Sequence, residues 1–378
     1  MEFSAEKARF QHWKHEWAKI AAGALGEDGF LKYEKNLQLT KALSDYSGDS
    51  YVRLCAKWTD GLAILLASLE VTSEDAIFLP AFGPAEILRP LRQFGAQVVF
   101  CDIHPRTFTL DINSVQKAIK QVMFDAKKRA RVILALDSFG LPCDYPALQQ
   151  ISERYGLLLV DLAVDGLGGS CHLQRVPAFG DAGICSFAPG STVAAFADGA
   201  AIFCHKEDLF TKVSLWQGNG RDTASGDWLV PGFGSEIHPH ESAVLLQKLA
   251  SYNDSEGARR AGLAAFYSAQ FQDILDPPFV PAGFSSGWQS YCVLLPQASQ
   301  RDAFRRSLAE AGIATQIPSW YDLAAIHRSW TEPDAPARQD FSATAEIVER
   351  MLFLPLHPYL TLADARQICA AVREFWPE

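Results

Sequence analysis

Four apolar residues, Leu157 to Val160, lead without a polar interruption into Asp161, and a glycine-rich turn ending at Gly169 follows. A strand that is apolar on both faces must be covered on both faces, which is the situation of a central strand in a sheet flanked by helices. A carboxylate at the C-terminal end of such a strand lies where open α/β sheets hold their ligands. The chain before it repeats one unit. Apolar stretches at 76–79, 97–101 and 131–136 alternate with helical patterns at 85–94, 112–122 and 145–155. Short apolar strands alternating with helices of about ten residues predict a mostly parallel sheet covered on both sides. A second apolar strand, Gly183 to Phe187, follows the turn.

At 378 residues the chain is long enough for a large domain and a smaller one. The pattern divides it into a leading segment 1–50, a large domain 51–250, and a linking helix with a small C-terminal α/β domain, 251–378. Residues 29–48 space Leu37, Leu39, Leu43 and Tyr46 as a helix ending at Gly48. A helix is expected from Thr59 to Leu69, with its free N–H groups facing an anion or cofactor site. The stretch 216–234, WQGNGRDTASGDWLVPGFG, has no period and reads as a long loop. A long helix, 239–275, stops before Pro277 and Pro278. Strand 290–295 and helices 301–311 and 362–375 complete the chain.

The formal net charge of -10 argues against a nucleic-acid or anionic-membrane surface. No apolar run approaches the length of a membrane span. Eight cysteines without a CxxC pair suit a reduced, cytoplasmic protein in which thiols pack as small hydrophobes.

Two motifs carry a resemblance. Residues 161–169 read DLAVDGLGG and residues 186–201 read SFAPGSTVAAFADGAA. The chain resembles the DegT/DnrJ/EryC1/StrS sugar aminotransferases, whose corresponding stretches are EDAAQALGA and SFHPTKNLGAFGEGGA. The resemblance extends through Gly312-Ile313 and Leu352 to Thr361. It implies a fold type I aminotransferase-like architecture, a homodimer with composite sites, and a ligand that is a nucleotide-linked sugar or a related small molecule.

The family's pyridoxal-phosphate contacts, carried over position by position, meet different residues here. The Schiff-base lysine falls on Ser191, and a hydroxyl forms no imine. The aspartate that keeps the ring nitrogen protonated falls on Leu162. The phosphate threonine falls on Leu62, the stacking aromatic on Pro84, and the partner-subunit asparagine on Gly234. Only Ser186 is retained. These departures predict a protein that works without pyridoxal phosphate and does not transaminate. The alternatives are noncovalent pyridoxal or pyridoxamine phosphate (PLP or PMP), an ordinary PLP-dependent nucleotide-sugar aminotransferase, and a non-catalytic partner or ligand-binding subunit.

The candidates left for chemistry are Asp161 and Asp165, both expected toward the former cofactor cavity, and the cluster Glu236, His238 and His240. The aspartates read first as turn and cap residues, and otherwise as a general base or a ligand to a sugar hydroxyl. The histidines flank Pro239, and a plain helix start explains that stretch as well as catalysis does, so no metal is expected. Trp216, Trp228, Trp320 and Tyr321 are expected in loops, as stacking platforms or as subunit-interface cover.

Overall fold

The computed structural model describes residues 3, 6–23, 33–48, 50–318, 321–331 and 341–376. Trp320 lies outside them. Helices α1 (Glu6–Gly23) and α2 (Glu34–Ser47) precede β1 (Tyr51–Cys55) and α3 (Trp58–Ser68). Next come β2 (Asp75–Pro80), β3 (Phe82–Gly83), α4 (Leu88–Gln93), β4 (Gln97–Cys101), α5 (Ile112–Asp125), β5 (Arg129–Leu136), α6 (Tyr145–Tyr155) and β6 (Leu158–Ala163). A small hairpin, β7 (Ser170–Cys171) and β8 (Gln174–Arg175), leads to β9 (Ala182–Ser186), β10 (Ala200–Cys204) and α7 (Glu207–Gln217).

The main sheet has the order β1-β10-β9-β6-β5-β2-β4, which puts β6 in the middle as its sequence requires. Strands β4, β2, β5, β6 and β9 run parallel, and β10 and β1 close the edge antiparallel. Every residue of β2, β9 and β10 is buried, so these runs are covered on both sides. The connecting helices are closed by local chemistry. Asp111 and Asp144 accept the N–H groups of Ser114 and Ala147 at the starts of α5 and α6, and Gly48 and Gly156 end α2 and α6 with positive φ.

Strand alternation divides the core into two layers. Leu158, Val160 and Leu162 face a layer built with Leu62 and Leu65 of α3, Leu88 and Leu91 of α4, and Val213 of α7. Leu159 and Ala163 face the other, with Leu43 of α2, Ile119 of α5, Leu148 of α6 and Leu249 of α8 (Pro239–Ser251). A third core belongs to the C-terminal part. That part runs in chain order through α9 (Gly257–Phe271), β11 (Phe284–Ser285), β12 (Tyr291–Leu294), α10 (Arg301–Glu310), β13 (Tyr321–Asp322), α11 (Leu323–Thr331), α12 (Ser342–Arg350), β14 (Met351–Leu354) and α13 (Leu362–Phe375), and its core packs α9, β12, α10, β14 and α13 together. Tyr267, Tyr291, Phe304 and Ile368 form its centre.

Four expectations are corrected. The long helix is interrupted by a π turn at Tyr252–Glu256, which widens the helix and rotates the faces of α8 and α9 relative to each other. Trp216 lies on α7 and packs against Phe233, not in the loop. Leu37 is 72% exposed, so α2 is anchored on the core through Leu39, Leu43 and Tyr46 and not through Leu37. Finally, Tyr321 is not in a loop but in β13, which returns from the C-terminal part to pair antiparallel with β3 and so brings Leu323 over the large sheet.

Candidate functional site

The C-terminal end of the parallel strands is framed by the start of α3, the β3 segment, the turn after β6 and the loop after β9. Helix α3 begins at Trp58, with no side chain capping it. Thr59 is therefore in the first turn, among the helix's free N–H groups. Leu62 lies a turn further on, fully buried in the core. The hydroxyl at the helix start is Thr59, three residues before Leu62, the position aligned with the phosphate threonine. Arg89 donates to Thr59 Oγ1 at 2.8 Å and to Asp60 Oδ1 at 2.8 Å, so the acid at the helix start is neutralised by a guanidinium. Ser235 Oγ donates to Asp60 Oδ2 at 3.2 Å, and Lys57 lies 3.6 Å from Asp198.

Leu162 is fully buried in the apolar layer that holds Leu136, Phe82 and Leu323. The packing there is tight: a Cβ added to Gly83 would lie 2.7 Å from Leu136 Cδ2 and 3.2 Å from Leu323 Cδ1. Pro84 leads from β3 into a short 3-10 turn. Ser186 is buried at the end of β9, where its hydroxyl accepts the Ala188 N–H at 3.2 Å. Ser191 and Thr192 are buried in the following loop, and the Thr192 hydroxyl donates to Leu167 O. Gly234 has φ 62, and a side chain at that position would run into the Asn219 amide.

Of the predicted acids, Asp161 points away from this end. It lies on the face of β6 shared with Leu159 and Ala163, where Tyr145 Oη sits 2.6 Å from its Oδ1. The expectation that both aspartates reach the former cofactor cavity is corrected for Asp161, since strand alternation sends it opposite Leu162. Asp165, in the turn, is pushed up to about 7 by burial and by the charge of Glu86. Glu236 and His238 are exposed, alternating with buried Ser235, Ile237 and Pro239. The His238 and His240 rings stack 5.0 Å apart with their Nδ1 atoms at 3.1 Å. Glu241 accepts the Phe196 N–H at 2.7 Å. His238 is the residue before helix α8, and Pro239 is its first residue. No group of three or more His, Cys, Asp or Glu among the described residues is arranged to hold a metal.

Two residues, one at this end and one beside Asp161, were not singled out from the sequence. Arg89 meets Thr59 across 30 positions of chain, and nothing local marks it. Tyr145 could have been noticed, as a tyrosine in the first turn of a helix that follows a strand ending in Asp137.

The profile of the DegT/DnrJ/EryC1/StrS aminotransferase family matches residues 12–373. The chain belongs to that family. It is 28% identical over 340 residues to the UDP-2-acetamido-2-deoxy-3-oxo-D-glucuronate aminotransferase of Pseudomonas aeruginosa, covering 89% of each chain. A DegT/DnrJ/EryC1/StrS aminotransferase from Brucella abortus superposes with a TM-score of 0.93 at 26% identity, over 100% of both chains. NtdA of Bacillus subtilis, solved with bound cofactor PMP, has the same fold, with a TM-score of 0.86 at 20% identity over 99% of this chain and 84% of its own.

These findings overturn the expectation of a lysine-less protein that works without pyridoxal phosphate. The family and the Pseudomonas relative are aminotransferases, and a protein of the same fold holds PMP. The imine is not the only way to hold the cofactor. The amine form brings its own nitrogen, so Ser191 bears on how a cofactor is tethered and not on whether one binds.

The residues present fit such a group at one end only. Thr59, Arg89 and the first turn of α3 suit its phosphate. At the ring-nitrogen position Leu162 offers an apolar side chain and no acid.

Proposed function

We propose that the chain is a PLP-dependent nucleotide-sugar aminotransferase, taking the cofactor's phosphate at Thr59 and the start of α3. The observation that carries this reading is the match across residues 12–373 to a family of aminotransferases, with a UDP-sugar aminotransferase as a relative. The cofactor, when bound, supplies the electron sink for moving an amino group. The chain's own groups hold the phosphate, and Asp165, pushed up to about 7, is poised to take or give a proton near neutral pH. A homodimer is part of the proposal. Trp228 and Leu229, 70% and 59% exposed on the loop before α8, are an apolar pair that a second copy would cover.

The test is a fluorescence titration of the purified protein with PLP and PMP, followed by UDP-linked amino sugars. Binding of one cofactor form, weakened about tenfold in Thr59→Ala, is expected. A protein that binds neither form and transfers no amino group defeats the proposal. Sedimentation equilibrium separately reports the dimer.

A further inference from the structure

The buried side of β6 holds a group of side chains that no sugar-binding or amino-transfer role uses. Asp137, at the end of β5, and Asp161, within β6, are both fully buried. The Tyr145 hydroxyl lies between them, 2.8 Å from Asp137 Oδ1 and 2.6 Å from Asp161 Oδ1. A phenol has one proton and can donate it to one of these oxygens only. The second short contact is then a hydrogen bond only if that carboxyl carries a proton and donates it to the phenol oxygen. Two ionised carboxylates would place an uncompensated oxygen–oxygen contact and two charges in an apolar core.

We infer that Asp137, Tyr145 and Asp161 share one extra proton, and that this triad is a pH-sensitive clamp behind the turn that carries Asp165. The connection to the turn is steric. Gly166 packs so closely on Asp137 that any side chain there would meet its Oδ2. That Oδ2 is buried without a hydrogen-bond partner among the described residues, while the backbone N–H groups of Ala178 and Phe179 lie toward the Asp161 carboxyl. The Cys143 N–H fixes the other Asp137 oxygen at 2.9 Å, and Phe179 stacks on the Tyr145 ring at 4.4 Å, so the three groups are held in place.

The ionisable groups facing the triad are Cys143 from the lead into α6, Asp165 from the turn, Cys171 from β7 and Cys185 from β9, with Glu86 acting through Asp165. None is a cation: Asp165, when ionised, favours retention of the proton, whereas the hydrogen bonds from Cys143 favour the charged form of Asp137 and only partly offset burial. In agreement, burial pushes Asp137 up to about 8 and raises Asp161 strongly. When the shared proton leaves, the triad carries a second negative charge against Gly166, and the turn loses its support.

Carboxyl-labelled full-length protein, read by isotope-edited infrared spectroscopy, tests the inference without a cofactor. Near neutral pH the wild type should show the carbonyl band of a protonated aspartic acid. Asp161→Asn should lose it, because the amide can donate to the phenol without an extra proton. Amide exchange at Gly166 to Gly168 should accelerate beyond its ordinary base catalysis as pH passes about 8 in the wild type, and not in Asp161→Asn. A wild type with only ionised aspartates near neutral pH, or with Tyr145 ionised in their place, overturns the inference. If Asp161→Asn does not fold, the wild-type spectrum alone decides. Neither result bears on cofactor binding, which the titration with PLP and PMP reports separately.

Discussion

The two faces of β6 solve opposite problems within one strand. On one side Leu162 joins Leu136, Phe82 and Leu323 in an apolar layer, closed further by the return of β13 onto β3. On the other, one residue away, Asp161 is held in a carboxyl–phenol–carboxyl triad. The apolar face gains stability from area removed from water, a term that does not depend on pH. The polar face is held by a proton and is exposed to whatever changes its occupancy. The difference teaches that a buried strand can be a packing element toward one layer and a titrating element toward the other.

The strongest way to break the comparison is to put a charge on the apolar face. Leu162→Asp buries a carboxylate without a partner and should cost about 3–5 kcal/mol in urea denaturation. A loss below about 1 kcal/mol would show that water reaches the Leu162 side. Leu62→Ala, a cavity in the same layer, should cost about 3 kcal/mol by the same measurement.

The polar face is tested by pH. Asp137 and Asp165 keep their protons in the folded protein well above the ordinary value of 3.8, to about 8 and about 7. Their contribution to stability is therefore full below the unfolded value of 3.8, declines as pH rises from there, and is gone once pH has passed about 7 and about 8. Thermal unfolding should show the midpoint falling across that window in the wild type and falling less in Asp161→Asn. Lys248, whose burial pushes its ammonium down to about 8, acts in the opposite sense only above that pH. The smallest effect belongs to Trp228→Ser. At 70% exposure it should change monomer stability by no more than about 0.5 kcal/mol, so any larger loss that depends on protein concentration reports a covered interface.

Much of the frame was legible along the chain. The alternation of apolar runs with helical patterns placed the strands of the parallel part to within a residue or two and put 157–161 at the centre, because burial on both faces leaves its mark on every residue of a strand. Helix ends were legible where glycine or a capping carboxylate fixes them, as at Gly48, Gly156, Asp111 and Asp144. The site was less legible. Leu62 stands where the family has its phosphate threonine, and the hydroxyl three residues earlier, Thr59, shows its place only once Arg89 reaches it across the fold.

What the sequence by itself determined is the fold and family: the order of strands and helices, the central place of β6, and the departures at Ser191 and Leu162. Those follow from local periodicity and residue identity, which each stretch carries alone. Only the tertiary structure decided which face Asp161 takes, that Arg89 neutralises Asp60 across 29 positions, that Leu323 seals the β3 segment, and that Tyr145 stands between two aspartates 24 residues apart. These are contacts between distant elements. Their chemistry, including which carboxyl keeps a proton, depends on burial and on neighbours that exist only once the sheet and its helices have packed together.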